Sequence, residues 1–150
     1  MRSSIAAGLV VLGIAGLAFF SVRELRNGEG TASAAASSIG WEHDLDTALR
    51  RATSEKKLVM VDFYTDWCGW CKRLDQTTLT DSAVQQAISH VVPVRLDAER
   101  EGAQEASRLG VDAYPTIVFL SAHGEEVGRI PGYLEAGPFL AEINQIFKRG

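Results

Sequence analysis

The alternation of hydrophobic and polar residues from residue 41 onward predicts an ordered series of helices and strands. Apolar residues at helical spacing predict a helix from about Leu45 to Ser54, with Asp44 as its N-cap. The segment from Leu58 to Tyr64 is apolar at nearly every position, which predicts a central strand with helices packed on both faces of its sheet. Two further helices are predicted, one from about Cys68 to Thr77 and one from Asp81 to Ser89.

The second half of the chain predicts a sheet that changes from parallel to antiparallel. A strand over residues 91–97 contains Pro93, whose missing N–H predicts an irregular ladder on one side of that strand. A helix over residues 101–109 follows. A turn at His123 and Gly124 then joins two short strands into an antiparallel hairpin, and a terminal amphipathic helix ends the series. This order predicts an α/β fold with a central mixed β-sheet flanked by helices.

An uncharged, largely apolar run from Ile5 to Val22 precedes the predicted domain. Its 18 residues are just enough to span a bilayer as a helix. The small-residue sites that a signal peptidase needs, at residues 32–34 and 34–36, lie about ten or more residues beyond the run. We therefore expect residues 1–26 to be an uncleaved signal anchor that forms an N-terminal transmembrane helix. The alternative is a cleaved signal peptide.

Residues 27–40 are rich in glycine, alanine, serine and threonine, which is typical of a flexible tether. The tether would connect the anchor to a domain over residues 41–150. The few Lys and Arg residues around the apolar run do not themselves favour this orientation. Because a first span commonly exports the segment after it, we nevertheless expect the domain to lie outside the cytoplasm, on the periplasmic side. Cleavage would instead give a secreted protein.

Composition and cysteine content narrow the functional classes. The chain is 46% hydrophobic and 23% charged, as in an ordinary globular protein, and its net charge of −4 gives no sign of nucleic-acid binding. Its only two cysteines, Cys68 and Cys71, are three positions apart. A disulfide across so short a loop constrains the unfolded chain very little, so a structural staple is a poor explanation for the pair.

The sequence Trp67-Cys68-Gly69-Trp70-Cys71-Lys72 carries the candidate chemistry. It follows the central strand and opens a predicted helix, which places one sulfur at a helix N-terminus. There the backbone N–H groups and the helix dipole favour the thiolate over the thiol. The motif therefore predicts a redox-active dithiol.

Three separated segments make the chain similar to the thioredoxin superfamily over residues 41–147. They are Val61-Asp62-Phe63, the motif from Trp67 to Lys72, and Ala113-Tyr114-Pro115-Thr116. The residues around the motif and the stretch over residues 80–84 resemble the branch that contains the C-terminal domain of DsbD and small membrane-anchored thioredoxin-like proteins. The resemblance implies a thioredoxin fold and a thiol–disulfide oxidoreductase that needs no soluble cofactor, because the dithiol itself carries the electrons.

The resemblance also implies a role for each reacting group. Cys68 would be solvent-accessible and would attack a disulfide of a protein substrate, and Cys71 would resolve the mixed disulfide. Burial disfavours the Cys71 thiolate, so this step needs a proton acceptor. Desolvation in an apolar strand is expected to raise the pKa of Asp62, which would then serve as that base. The alternative is that Asp62 is a carboxylate at a strand end that reaches water.

A substrate-binding surface is implied around the sulfurs. Pro115 matches the cis-proline of the superfamily, which faces the cysteine pair and presents backbone to the substrate, and Tyr114 and Thr116 would border the groove. Trp67 and Trp70 are interpreted as surface aromatic residues, with core packing as the alternative for Trp67.

Two residues depart from the superfamily pattern. Trp70 stands where thioredoxins proper carry proline, and residues between the cysteines help to set the redox potential. Pro93 lies near the position of a lysine that contacts the buried aspartate in many thioredoxins. Arg95 is close in sequence, but strand alternation does not guarantee that it reaches Asp62.

Other functional classes fit less well. A structural zinc needs four ligands, and the chain offers two cysteines and three scattered histidines, so no metal is expected. A c-type haem would need histidine where Lys72 stands. A non-catalytic peptide-binding module would not need both cysteines. Among oxidoreductases, Asp62 and the resemblance favour a reductase supplied by a membrane electron donor of the DsbD type, whereas Trp70 leaves an oxidase or isomerase open.

Overall fold

Five helices and four strands run through residues 39–150, the part of the chain that this computed structural model describes. In order they are α1 (Leu45–Glu55), β1 (Val59–Tyr64), α2 (Gly69–Thr77), α3 (Ser82–Ile88), β2 (Val92–Asp97), α4 (Ala103–Arg108), β3 (Thr116–Leu120), β4 (Glu126–Pro131) and α5 (Ala136–Phe147). The predicted anchor over residues 1–26 and residues 27–38 of the predicted tether lie outside the described residues. Among the residues described, no helix is both long and apolar enough to cross a membrane.

The four strands form one mixed sheet in the order β2-β1-β3-β4. β1 and β2 are parallel neighbours, whereas β3 is antiparallel to both of its neighbours, β1 and β4. The predicted parallel half and hairpin half are therefore confirmed. The register places Asp62 of β1 opposite Arg95 of β2 on one side and opposite Ile117 of β3 on the other.

The predicted irregularity at Pro93 lies on the outer edge of the sheet. Val92 N–H donates to Leu58 O at 2.9 Å, so the next nitrogen, that of Pro93, faces away from β1. On that outer edge, Glu42 N–H donates to Pro93 O and Glu42 O accepts from Arg95 N–H, both at 2.9 Å. The proline is tolerated because its missing donor falls on the edge where, within residues 39–150, Glu42 alone pairs with the strand.

Helices cover both faces of the sheet, as the apolar sequence of β1 predicted. Val59, Val61 and Phe63 pack with α1 and α4 on one face, and Met60 packs with α2, α3 and α5 on the other. Each fully buried large apolar side chain contributes about 1.5–3 kcal/mol to folding. Because side chains of a strand alternate, Asp62 is on the same face as Met60, beneath α2.

Local hydrogen bonds fix where two of these helices begin. Asp44 accepts from Thr47 N–H at 2.7 Å, as the predicted N-cap of α1. Asp81 accepts from two backbone N–H groups in the first turn of α3, at 2.9 and 3.1 Å. The N-cap of α2 is Cys68, which makes the start of that helix part of the candidate site.

Candidate active site

Cys68 lies at the N-terminus of α2, where the chain leaves β1. Its backbone is extended and its N–H donates to Thr65 O at 3.1 Å, so Cys68 is the N-cap of the helix that was predicted to begin at about this residue. The Sγ atom is bonded to Cys71 Sγ in a disulfide with Cα atoms 5.3 Å apart, and it accepts from Cys71 N–H at 3.1 Å. The first sulfur is therefore held where the helix terminus favours negative charge.

Cys68 is not open to solvent in this disulfide form. It is 4% exposed, close to the 3% of Cys71, so the expectation of an accessible Cys68 is wrong for the oxidised protein. The physical reason is that Cys68 Sγ turns inward to bond the buried sulfur of Cys71 and to accept its N–H. Direct attack on a bulky substrate requires the disulfide to be reduced, so that this inward bond is released.

Asp62 is buried within β1 and does not reach water. It is 1% exposed, and neither carboxylate oxygen accepts a hydrogen bond from any described residue. Burial raises the pKa of this carboxyl from 3.8 to about 7, Arg95 opposes the increase and the negative charge of Asp75 adds to it. The alternative of a solvated strand-end carboxylate is excluded, and the group titrates where a proton acceptor for a thiol is useful.

Arg95 is the cation that faces Asp62. Its Nε lies 3.6 Å from Asp62 Oδ2, whereas its Nη1 and Nη2 donate to the two carboxylate oxygens of Asp75 at 2.9 and 2.7 Å. The guanidinium carbon also lies 4.5 Å from the ring centroid of Tyr64 and 5.8 Å from that of Trp41. Arg95 thus connects β2 to α2 and lies beside the buried carboxyl.

The Tyr114–Pro115 peptide bond is cis, as the resemblance implied. Pro115 O accepts from Gly132 N–H at 2.8 Å, which fixes this loop against the segment after β4. Thr116 is buried, and its hydroxyl donates to Ala113 O at 2.8 Å. Thr116 therefore holds the loop in place.

Trp67 lies on the surface before the cysteines, with 66% of its area exposed, so the core-packing alternative for this residue is excluded. Its indole N–H donates to Glu99 Oε2 at 3.0 Å, and its ring meets the Tyr114 ring edge-on at 6.3 Å. Trp67 thus connects the start of the motif to Glu99 and to Tyr114, the residue before Pro115.

Trp70, between the cysteines, is 56% exposed and lies against Tyr133 with ring centroids 5.5 Å apart. The Arg73 guanidinium carbon is within 5.6 Å of the Trp70 centroid and 5.2 Å of the Tyr133 centroid. Trp70, Tyr114, Gly132 and Tyr133 line an open groove of about 280 Å³. The groove is large enough for one substrate side chain and offers aromatic faces beside an exposed cation.

Several residues of this site were not singled out from the sequence. Asp75 is four positions after Cys71, a helical spacing that would place both on one face of α2. Tyr133 carried no signal, because only the packing of α2 against the segment after β4 brings it to Trp70. Arg73 is three positions after Trp70 on the same helix, a spacing that places the two side chains side by side. The contact between Arg95 and Asp62, left open by the sequence, is present because parallel pairing aligns the two residues.

A comparison with protein families decides the classification. The sequence model described as a thioredoxin-like domain matches residues 45–147. The chain belongs to this family. Cys68 and Cys71 supply the cysteine pair of a thioredoxin-like thiol–disulfide oxidoreductase, and the match includes the cis-proline loop and Asp62.

Among individual proteins, this thioredoxin-like domain is similar to part of DsbD. The thiol:disulfide interchange protein DsbD of Actinobacillus pleuropneumoniae is 39% identical over 98 residues, which are 62% of this chain and 17% of that protein. The chain thus spans about a sixth of the length of this relative.

Solved structures agree with this classification. A candidate disulphide-isomerase from Bacteroides thetaiotaomicron is 36% identical, with a TM-score of 0.67 over 77% of this chain and 98% of that one. The reduced C-terminal domain of Neisseria meningitidis DsbD is 26% identical, with a TM-score of 0.59 over 67% and 92% of the two chains. The thioredoxin-like domain is therefore homologous to a terminal domain of DsbD.

Proposed function

We propose that this protein reduces disulfide bonds of protein substrates by dithiol–disulfide exchange through Cys68 and Cys71. The observation that carries the proposal is the arrangement of the pair: a disulfide at the N-terminus of α2, on a helix that covers the buried carboxyl of Asp62. A thiolate-stabilising helix end and a carboxyl with a pKa of about 7 supply the two groups that successive exchange steps need.

The first step uses the dithiol form of the protein. The Cys68 thiolate attacks one sulfur of the substrate disulfide, a bond forms between Cys68 Sγ and that sulfur, and the other substrate sulfur leaves as a thiolate that takes a proton from water. The groove between Trp70 and Tyr133 receives a side chain of the substrate, and the backbone next to cis-Pro115 pairs with the substrate strand. Trp67 and Tyr114 border this surface, and Thr116 holds its cis-proline loop in place.

The second step releases the substrate. Asp62 accepts the proton of the Cys71 thiol, and the Cys71 thiolate attacks Cys68 Sγ and displaces the second substrate sulfur as a thiolate. This thiolate takes a proton from water, and Asp62 later returns its proton to solvent. Two electrons have then passed to the substrate, which leaves as a dithiol, and the Cys68–Cys71 disulfide remains. This product is the form that the structure contains.

A further cycle requires a reductant for the Cys68–Cys71 disulfide. A membrane electron donor of the DsbD type has suitable chemistry, because it would deliver two electrons by the same exchange reaction. The homology to DsbD supports this choice of donor. No soluble cofactor takes part, since both half-reactions exchange electrons between sulfur atoms.

We further propose that residues 1–26 anchor the protein in the membrane and that residues 27–40 tether the domain outside the cytoplasm. The apolar run from Ile5 to Val22 and the small, polar composition of the following segment support this arrangement. Compartments outside the cytoplasm contain the oxidised protein substrates on which such a reductase acts.

A disulfide oxidase or isomerase of the same fold is the second candidate function. Trp70 leaves it open, because residues between the cysteines influence how strongly the dithiol form is stabilised and Trp70 departs from the proline of thioredoxins proper. The pair would then accept electrons from a substrate dithiol, or exchange partners within one substrate. A non-catalytic peptide-binding module would retain its function in a Cys68→Ser variant, whereas either oxidoreductase would lose it.

The assigned cysteine roles are tested by trapping the mixed disulfide. The reduced Cys71→Ser variant should accumulate a covalent complex with a disulfide-containing model protein, because the attack step is intact and the release step is absent. The matched Cys68→Ser variant should give little or no complex. A complex that forms equally well through Cys71 in the Cys68→Ser variant would show that the roles are reversed.

A further inference from the structure

Asp62 has a cation next to it and yet makes no hydrogen bond with it. The Arg95 Nε atom is 3.6 Å from Asp62 Oδ2, and both oxygens of this fully buried carboxyl lack a hydrogen-bond partner among the described residues. A guanidinium this close would ordinarily donate to a buried carboxylate, because an unpaired buried charge is costly. Something in the site therefore restrains Arg95.

Asp75 supplies that restraint. Its two carboxylate oxygens accept from Arg95 Nη1 at 2.9 Å and from Nη2 at 2.7 Å, which is the two-pronged geometry that suits a planar guanidinium. The rings of Tyr64 and Trp41 contact the same guanidinium. With its terminal nitrogens held on α2, Arg95 presents only Nε toward β1, at a distance too long for a hydrogen bond.

We propose that Asp75 is a positioning residue, which retains Arg95 on α2 and so keeps Asp62 unpaired and able to accept the proton of Cys71. This inference rests on the proposed function, in which Asp62 is the base of the release step. Asp75 itself touches no reacting atom. It acts through Arg95, and its position one helical turn after Cys71 puts the restraint on the same helix as the resolving thiol.

The charges around Asp62 make the consequence of losing Asp75 definite. Arg95 faces Asp62 from β2, Asp75 lies beyond it on α2, and the cross-strand partner on β3 is the apolar Ile117. In the reduced protein the Cys71 thiol is a further ionisable group on the buried side of α2, whereas Lys72 and Arg73 of this helix are exposed. If Arg95 were released and donated directly to Asp62, the carboxylate would be stabilised and would become a weaker base.

A direct effect of the Asp75 charge on Asp62 is a simpler explanation, and it has to be distinguished from a restraint that acts through Arg95. The negative charge of Asp75 by itself disfavours ionisation of Asp62, so an Asp75→Asn substitution would lower the proton affinity of Asp62 even if Arg95 stayed in place. The two effects differ in their dependence on Arg95. If Asp75 acts on Asp62 directly through its charge, the effect of Asp75→Asn persists when Arg95 is replaced. If Asp75 acts by restraining Arg95, the effect disappears once Arg95 is replaced.

The test is a double-mutant cycle in the full chain with Asp75→Asn, Arg95→Gln and the double variant. The first readout is the titration of the Asp62 carboxyl in the disulfide form, followed by carbon NMR. The second is the pH midpoint for decay of the mixed disulfide with a model substrate. Glu142→Gln on the exposed side of α5 is the control that changes net charge equally, and Asp75→Glu is the conservative variant.

We expect Asp75→Asn to lower both midpoints by about one pH unit or more, corresponding to at least about tenfold weaker proton binding by Asp62. In the Arg95→Gln background, Asp75→Asn should shift the two pH midpoints by less than about a third of the shift it causes in the wild-type background. Asp75→Glu and Glu142→Gln should stay close to the wild-type midpoints. An equal shift in both backgrounds, or no shift in either, would overturn the positioning role.

The same experiment separates this inference from the proposed function. If the reduced protein forms no mixed disulfide with any disulfide-containing substrate, the proposed function fails, and the NMR titration still decides whether Asp75 controls Asp62 through Arg95. If the mixed disulfide forms and decays with an unchanged midpoint in Asp75→Asn, the proposed function stands and the positioning role fails.

Discussion

The Nε atom of Arg95 lies 3.6 Å from Oδ2 of Asp62, a distance at which the charges attract but no hydrogen bond forms. The attraction offsets only part of the desolvation of Asp62, so the pKa of this carboxyl remains raised, at about 7. The stability of the fold and the proposed release step are consequently both coupled to the protonation of one buried group.

The first prediction concerns stability and pH. Since the pKa of Asp62 is raised from 3.8 to about 7, the folded protein binds more protons than the unfolded chain between those values. The stabilisation that comes from this tighter proton binding by folded Asp62 is fully present below about pH 4 and is lost as the pH rises through about 7. Asp62→Asn cannot ionise, so we expect it to exceed the wild type by about 2–4 kcal/mol in free energy of unfolding at pH 8.

Urea unfolding at pH 4 and pH 8 checks this prediction, with Glu142→Gln as a surface control of equal charge change. The advantage of Asp62→Asn should largely disappear at pH 4, where the wild-type carboxyl is protonated. A stability difference that is the same at both pH values would mean that Asp62 does not titrate in the folded protein as described.

The second prediction concerns the aromatic groove. Trp70→Ala removes a large exposed ring that lines the groove beside Tyr133, so we expect KM for a protein disulfide to rise about tenfold, equivalent to about 1.4 kcal/mol of binding. Because Trp70 is on the surface, thermal stability should change little. Steady-state kinetics give the result, and Trp70→Phe, which keeps an aromatic face, should recover most of the affinity. An unchanged KM in Trp70→Ala would remove this residue from the binding surface.

The third prediction concerns the N-terminal segment. Expressed as the full chain in a bacterium, the protein should stay with the membrane fraction after alkaline washing, and added protease should reach its domain only from outside the cytoplasm. Leu12→Arg, which places a charge at the centre of the apolar run and costs about 2.5–3.5 kcal/mol of insertion free energy, should reduce the membrane-bound fraction. A shortened, water-soluble product would instead indicate a cleaved signal peptide.

Much of the fold could be predicted because local sequence signals and the final packing favour the same helices, strands and turns. The apolar run of β1, the caps Asp44 and Asp81, and the hairpin turn each carry a local signal. The burial of Asp62 followed from its apolar neighbours within the strand. For these features the residues nearby in sequence are also the ones that decide the structure.

The rest of the site depends on contacts between distant elements. Whether Arg95 reaches Asp62 is set by the register of β1 against β2, and whether Asp75 holds Arg95 is set by how α2 lies on the sheet. Neither can be inferred from the spacing within a single element. The buried position of Cys68 was missed because the disulfide turns its sulfur inward, and sequence spacing does not report the redox state.

The reduction potential of the Cys68–Cys71 pair tests the central claim most directly. The purified full chain would be equilibrated with glutathione or dithiothreitol buffers, and the fraction of disulfide would be measured by thiol alkylation and mass. A protein-disulfide reductase should give a value of about −250 mV or lower, near those of thioredoxin-like reductants. A value of about −120 to −180 mV would contradict the reductase proposal and would identify the pair as one that oxidises or rearranges substrate thiols.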